Sequence, residues 1–132
     1  MKAVWEALYT KFNADTNFKT AVGGQFYPGF ADQERATCPY AIYLQVTDLS
    51  DWTFSEDIET ITMQISVCDD QNSPTRIKTI EGYLYALFDD AILSVSGYDF
   101  VRMHRQMTQG PYRDDAYGTW QFNVDYEIEI RK

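Results

Sequence analysis

The longest run of alternating apolar and polar residues closes the chain, from Trp120 to Ile130. Because side chains alternate across a β-strand with period two, this run predicts a long half-buried strand. One face would consist of Trp120, Phe122, Val124, Tyr126, Ile128 and Ile130, and the other of Gln121, Asn123, Asp125, Glu127 and Glu129. The second face is acidic and has no catalytic residue type, which favours a surface that meets other protein.

Two earlier stretches show the same alternation. Tyr40 to Thr47 predicts a strand with Tyr40, Ile42, Leu44 and Val46 on one face. Ile58 to Cys68 predicts another, in which Ile61, Met63, Ile65 and Val67 alternate with polar residues. This pattern is typical of an antiparallel sheet that is covered on one side. A further strand is expected from Gly97-Tyr98 to about Met107, with Val101, Met103 and Met107 on its inward side. A long turn over 109–115 is expected to follow it.

Apolar residues at helical spacing predict two helices. The first covers residues 2 to about 13, and the second begins with Ser73 as N-cap and Pro74 as its first residue and ends near Asp90. Their apolar positions are Val4, Trp5, Leu8, Tyr9 and Phe12 in the first helix, and Ile77, Ile80, Leu84, Leu87, Phe88 and Ala91 in the second. A short helical turn over 18–22 and an extended piece over 25–27 are expected between the first helix and the first long strand.

The predicted order is α-β-β-α-β-β. It indicates an α+β fold in which an antiparallel sheet of four strands, or slightly more, has both helices packed on one face. The length of 132 residues suits a single domain over residues 1–132.

Composition narrows the possible partners. The chain has 11 Lys and Arg residues against 20 Asp and Glu residues, a net charge of −9. This charge disfavours a nucleic-acid-binding groove, because neutralising the phosphates requires clustered Lys and Arg side chains. An acidic protein still suits a place beside DNA where DNA must slide past without sticking. Cys38 and Cys68 are too few for a disulfide framework, so free thiols in a reducing cytoplasm are expected. The apolar runs predict neither a signal peptide nor a membrane span.

The residue types that carry enzyme chemistry are few and isolated. His104 is expected beside Arg102 on the open side of its strand, where positive charge makes it a poor general base. The polar run 69–72 offers hard oxygen atoms but lacks the order of a calcium loop, and helix capping explains it better. Neither cysteine has an evident activating base, and Gly23-Gly24 is not part of a phosphate-binding loop. We therefore expect no enzyme activity, no cofactor and no metal.

Aromatic residues stand in two predicted loops. Trp52 and Phe54 lie in the acidic stretch 49–57, and Tyr112 and Tyr117 surround Arg113 and its acidic neighbours. Such side chains either anchor a subunit interface or fold back over the sheet edge. The interface candidates are Trp52, Phe54, Tyr112, Arg113 and Tyr117.

In the order of its elements the chain resembles the tail completion, or tail terminator, proteins of long-tailed phages and prophages. The resemblance covers nearly the whole length. It rests on the succession of V-W-E-A-L-Y, V-G-G-Q-F-Y-P, C-P-Y-A-I-Y-L-Q-V, I-E-T-I-T-M-Q-I-S-V-C, L-F-D-D-A-I-L-S-V-S-G-Y and W-Q-F-N-V-D-Y-E-I-E-I. The family's motifs are structural, so the resemblance supplies no catalytic residues.

The resemblance implies a structural virion protein that forms a ring, commonly of six subunits, on the head-proximal end of the tail tube. Such a ring ends tube polymerisation and presents a docking surface to the head. The implied partners are other copies of the chain, the major tail tube protein and a head completion or connector protein. The implied location is the virion tail, after assembly in the host cytoplasm and without a membrane.

In such a ring the genomic DNA would pass through the lumen without specific binding. Acidic residues of the 48–57 stretch or of the last strand would line that lumen and repel DNA. The candidates are Asp48, Asp51, Glu56, Asp57, Asp125, Glu127 and Glu129.

Two other classes stay open. One is another head–tail joining or tail tube structural protein of the same particle. The other is a small acidic α+β enzyme or ligand-binding domain. The state of association in solution distinguishes them.

Overall fold

The computed structural model describes residues 2–29, 37–52 and 57–132, and the side chains of 49–52 and 57 lie outside that description. The elements in chain order are α1 (Lys2–Asn13), α2 (Asn17–Ala21), β1 (Phe26–Pro28), β2 (Tyr40–Trp52), β3 (Asp57–Asp69), α3 (Thr75–Phe88), β4 (Asp99–Asp114) and β5 (Thr119–Arg131). The predicted α+β class is confirmed, and α2 and β1 correspond to the short helical turn and the extended piece expected after the first helix.

The strands form one sheet in the order β1-β2-β3-β5-β4. The long strands are antiparallel to their neighbours, as predicted. The prediction of a wholly antiparallel sheet is wrong at one edge, where β1 pairs with β2 in parallel. A parallel pair needs a crossover of about a dozen residues, and the stretch 29–39 between β1 and β2 is close to that length.

The helices cover one face of the sheet, and the core lies between the two layers. Strand β5 shows the alternation most clearly, because each of its even-numbered residues from Phe122 to Ile130 is fully buried. The core also contains Val4, Leu8 and Phe12 of α1, Ile61, Met63, Ile65 and Val67 of β3, and Ile77, Ile80, Leu84 and Phe88 of α3. Near β1 the core is aromatic: the Phe26 ring stacks on Phe12 at 4.5 Å and on Tyr43 at 4.3 Å between centroids.

In strand β2 the buried residues are the odd-numbered ones, not the even-numbered apolar residues that stand out in the sequence. Ala41 and Tyr43 are buried beneath the helices, whereas Ile42 and Leu44 lie opposite the polar Ser66 and Gln64 of β3. The register shifts between Gln45 and Thr47, so Val46 occupies a bulge and is half exposed. The strand continues to Trp52 rather than ending at Thr47, which moves the predicted loop boundary.

Strand β4 departs most from expectation. It continues seven residues beyond the predicted end at Met107, and the residues predicted as a long turn lie inside the strand. The register against β5 shifts at three places, around Val101, around Gln106 and between Gln109 and Tyr112. Each extra residue in a bulge reverses the parity of the strand beyond it. The inward prediction is therefore correct for Met103 and wrong for Val101 and Met107, which are both 48% exposed.

Helix α3 begins one residue later than predicted and ends at Phe88 rather than Asp90. Pro74 takes the N-cap position, and the Ser73 hydroxyl accepts a hydrogen bond from the Thr75 amide at 3.3 Å. The helix is held to β3 by Arg76, whose guanidinium donates to the buried Asp69 carboxylate through Nε and Nη2. Asp69 and Asp70 thus attach the first turn of α3 to the end of β3 through Arg76, rather than by the expected side-chain capping.

Candidate subunit interface

The side of the sheet away from the helices, here called the open face, is not covered by any element of the described residues. Its members follow from the register and from the burial of their neighbours. They include Tyr40, Ile42 and Leu44 of β2, Gln64 and Ser66 of β3, Gln121, Asn123, Asp125, Glu127 and Glu129 of β5, and Arg102, His104, Met107 and Tyr112 of β4. The open face is therefore apolar along β2, polar through the middle and mixed along β4.

The acidic row of β5 is partly balanced by its neighbours. Arg102 of β4 donates to Glu129 at 2.8 Å, and His104 Nε2 lies 3.9 Å from Glu127. Asp125 accepts a hydrogen bond from the side-chain amide of Gln64 at 3.1 Å. His104 lies on the open face with Arg102, as predicted. Arg105 does not flank it there, because its guanidinium lies 3.8 Å from the Tyr85 ring centroid beneath α3.

The turn between β4 and β5 carries Tyr117, the more exposed of the two predicted interface tyrosines. Asp114 pairs with Thr119 at the end of the two strands, and four residues, 115–118, form the turn. Tyr117 within this turn is 82% exposed. The turn is stiffened by the Asp114 carboxylate, which accepts from the Ala116 amide at 3.1 Å.

The other aromatic-loop candidates are placed differently. Tyr112 is 44% exposed on the open face, where its hydroxyl accepts a 3.5 Å hydrogen bond from Asn123. Arg113 points toward the helix side, 5.6 Å from the Trp120 ring centroid and 3.2 Å from Asp115. Trp52 forms the last residue of β2, with its side chain outside the described residues, and Phe54 lies outside them altogether.

The hairpin of β2 and β3 carries the acidic stretch. Asp48 is exposed on β2, and burial together with Asp48 raises the pKa of Glu59. Asp51 and Asp57 lie in paired strand positions, opposite Ile58 and Trp52, and Glu56 lies outside the described residues. The lumen-facing role of these acids and of Asp125, Glu127 and Glu129 stays a prediction.

A groove that sequence reasoning missed runs along α1. Its volume is about 700 Å³, and its lining is Lys2, Trp5, Glu6, Tyr9, Thr10, Pro28 and Tyr43. The Trp5 ring lies 5.4 Å from Tyr43, and its indole N–H donates to Gln45 at 3.3 Å. Tyr9 is 45% exposed. Helical spacing groups Trp5 and Tyr9 with Val4 and Leu8, but five apolar positions cover too wide an arc for one buried stripe.

Cys38 and Cys68 are both free thiols; Cys38 lies just before β2, and Cys68 lies in β3 opposite Tyr40. Burial and the Cys68 thiol raise the pKa of Cys38 to about 12, and the same two causes raise the pKa of Tyr40 to about 12. Both groups are therefore held in their neutral forms near neutral pH.

Features of metal sites and of membrane spans are absent from the described part of the chain. Residues 2–29, 37–52 and 57–132 contain no group of three or more His, Cys, Asp or Glu side chains that converges as a metal site. None of the helices described there has the length and apolar character needed to cross a membrane.

No protein-family model matches the chain, and no curated protein matches it by sequence. Its fold is similar to a chain in a solved structure titled "Virion of native gene transfer agent (GTA) particle". The superposition has a TM-score of 0.79 and covers 96% of this chain and 93% of that chain, at 15% sequence identity. Elements throughout the chain thus share one arrangement with a virion component, although few residues are identical.

Proposed function

We propose that the chain is a structural protein of a phage-like virion, without enzyme activity, that forms a ring at the head-proximal end of the tail tube. The ring has six subunits, ends tube polymerisation and provides the surface on which the head docks. The observation that carries this proposal is the fold likeness to a chain of a gene transfer agent particle, which extends over 96% of this chain. The order of elements that resembles tail terminator proteins supports the same role.

The sheet supports a ring on physical grounds. Its order leaves the 16-residue strand β4 at one edge and the three-residue strand β1 at the other. A long edge strand presents unpaired backbone groups, and head-to-tail association of subunits around a closed ring covers such edges without open-ended growth. In this arrangement the open face would line the lumen, and Asp125, Glu127 and Glu129 would face the passing DNA.

Electron microscopy of the purified chain, alone and mixed with purified phage tail tubes, tests this role. Single rings that cap tube ends would support a terminator. Stacked rings that extend into tubes would instead support a tail tube protein, the alternative structural role in the same particle. A chain that stays monomeric in the presence of tubes would overturn the ring.

A further inference from the structure

We propose that the groove along α1 receives the β4–β5 turn of a second copy of the chain, with Tyr117 inserted beside Trp5 and Tyr9. This inference rests on the proposed ring and specifies which surfaces of neighbouring subunits meet. The exposed Tyr117 of each subunit would thus bind the groove of the next subunit.

The shape and lining of the groove favour an aromatic side chain. Lys2, Trp5, Glu6, Tyr9 and Thr10 fall at helical spacing on one side of α1, while Val4, Leu8 and Phe12 face the core from another side. The helix is therefore fixed by its core face and presents a second, partly aromatic face. Aromatic side chains in a groove of about 700 Å³ favour an amphipathic ring such as tyrosine, which supplies large contact area with little loss of rotamer entropy.

Tyr117, the side chain proposed to enter the groove, is also held on a rigid support. Tyr117 lies at the end of a hairpin whose strands pair from Asp99–Arg131 to Asp114–Thr119. An aromatic residue that is 82% exposed on such a support loses little conformational freedom on docking, so most of its buried area contributes to association. The volume of the groove leaves room for the neighbouring turn residues as well as the tyrosine ring.

Position and charge agree with this pairing. The groove borders β1 and β2 at one edge of the sheet, and the turn joins β5 to β4 at the other edge. Two different surfaces at opposite edges form a head-to-tail contact, which is the kind that closes rings. Lys2 at the groove pairs with Glu6 at 3.6 Å and Asp115 in the turn pairs with Arg113 at 3.2 Å. Because the Lys2 and Asp115 side chains are 90% and 92% exposed, each stays accessible to the opposite charge of a neighbouring subunit.

Tyr117→Ser and Tyr9→Ser, made separately, test the two halves of the contact. Each should weaken association of the purified chain by about 30-fold or more, as expected for an aromatic anchor of an interface. Tyr83→Ser is the matched control, because this exposed tyrosine, 38% accessible, lies beside Asn17 and Thr20 and touches neither the groove nor the turn. Analytical ultracentrifugation measures association, and circular dichroism verifies folding of each variant.

Mixing the two variants gives a sharper result. A Tyr117→Ser subunit retains its groove and a Tyr9→Ser subunit retains its tyrosine turn, so together they can form one intact contact and no second one. The mixture should therefore contain a 1:1 heterodimer that does not extend, which native mass spectrometry detects. Absence of the heterodimer, while wild-type rings form, would overturn the contact.

The outcomes separate this inference from the proposed function. If wild-type rings form and both single variants assemble as well as the wild type, the contact is overturned and the ring stands. If the wild-type chain remains monomeric with and without tubes, both are overturned.

Asp115→Lys should also weaken assembly, and Lys2→Glu in the same chain should restore it. Failure of the second substitution to restore assembly would count against the charge pairing in this contact.

Discussion

Gly110 is the position in β4 where the backbone least tolerates a side chain. Its φ is +97°, and a Cβ atom placed there would lie 2.8 Å from the carbonyl oxygen of Gln121 in β5. Both the left-handed conformation and the close approach of backbone favour glycine. The residue thus allows β4 to pass through its third irregularity and still pair with β5 on both sides.

Gly110→Ala should lower the free energy of unfolding by at least ~2 kcal/mol, because it combines positive-φ strain with a backbone clash. Gly118→Ala is the control, since Gly118 has a φ of +66° and a Cβ atom there would meet no other atom within 4 Å; its cost should be about 1 kcal/mol. Urea denaturation of both variants measures the difference. Equal losses would show that the contact with Gln121 has no effect.

Cys38 makes stability sensitive to alkaline pH. Burial and Cys68 raise its pKa from 9.0 to about 12, so the folded state favours the neutral thiol that the unfolded chain loses near pH 9. This stabilising contribution is complete below pH 9 and is lost as pH rises toward 12. The free energy of unfolding of the wild type should therefore fall over this range, and Cys38→Ala should reduce the slope. An unchanged slope in the variant would contradict the assignment.

At the scale of elements, a partly buried hydrogen bond joins the end of α3 to strand β5. The hydroxyl of the fully buried Tyr126 in β5 donates to the carboxylate of Asp89 at 2.6 Å. Arg105 of β4 lies 3.5 Å from the same carboxylate. Burial and the hydrogen bond to Asp89 raise the pKa of Tyr126, so this hydroxyl stays a donor over the accessible pH range.

Tyr126→Phe should lower the free energy of unfolding by about 1–2 kcal/mol, because the bond has a charged acceptor. Tyr85→Phe is a matched control, since that hydroxyl bonds the neutral Thr108 at 2.9 Å, and its loss should be closer to about 0.5–1 kcal/mol. Thermal unfolding measures both. A larger loss in Tyr85→Phe than in Tyr126→Phe would contradict the importance of the Asp89 link.

Elements with a simple period could be predicted from the sequence, and irregular ones could not. Strands β3 and β5 pair without a register shift, so their alternation predicted their buried faces correctly. The same reasoning failed for strand β4. Extra residues near Val101 and Gln106 change which side chains face the core, and nothing in the composition of the strand indicates where such residues lie. For the candidate interface, the exposure of Tyr117 agrees with its turn-like surroundings, and its role as an interface residue stays a prediction. The ion pair of Arg102 with Glu129 was not, because it depends on a cross-strand register.

At the scale of the whole molecule, the open face has a small negative charge. Asp125, Glu127 and Glu129 of β5 contribute −3 against +1 from Arg102 of β4, while Arg131 and Asp99 pair with each other at one end of the two strands and cancel. In the proposed ring this face meets DNA, and the sign of its charge decides whether DNA slides past or is retained.

Asp125→Asn, Glu127→Gln and Glu129→Gln together remove three negative charges from the middle of this face and leave Arg102 without its acidic partner. The triple variant should gain weak, salt-sensitive binding to double-stranded DNA, whereas the wild type should show none. Asp70→Asn, Glu81→Gln and Asp90→Asn change the total charge equally but away from this face. Electrophoretic mobility at low salt measures binding, and equal binding by the two triple variants would argue against a special role of the open face.

The register shifts of the sheet also have a geometric consequence. The central strands β3 and β5 pair over twelve consecutive positions, while β2 has one irregularity and β4 has three. Because a bulge bends and twists its strand, the flanks of the sheet are curved relative to a regular centre. In a closed ring, the angle between the two flanks sets the turn from one subunit to the next and so the diameter of the channel. Subunit number would then depend on single extra residues such as Val46 and Gln106 as much as on the surfaces that touch.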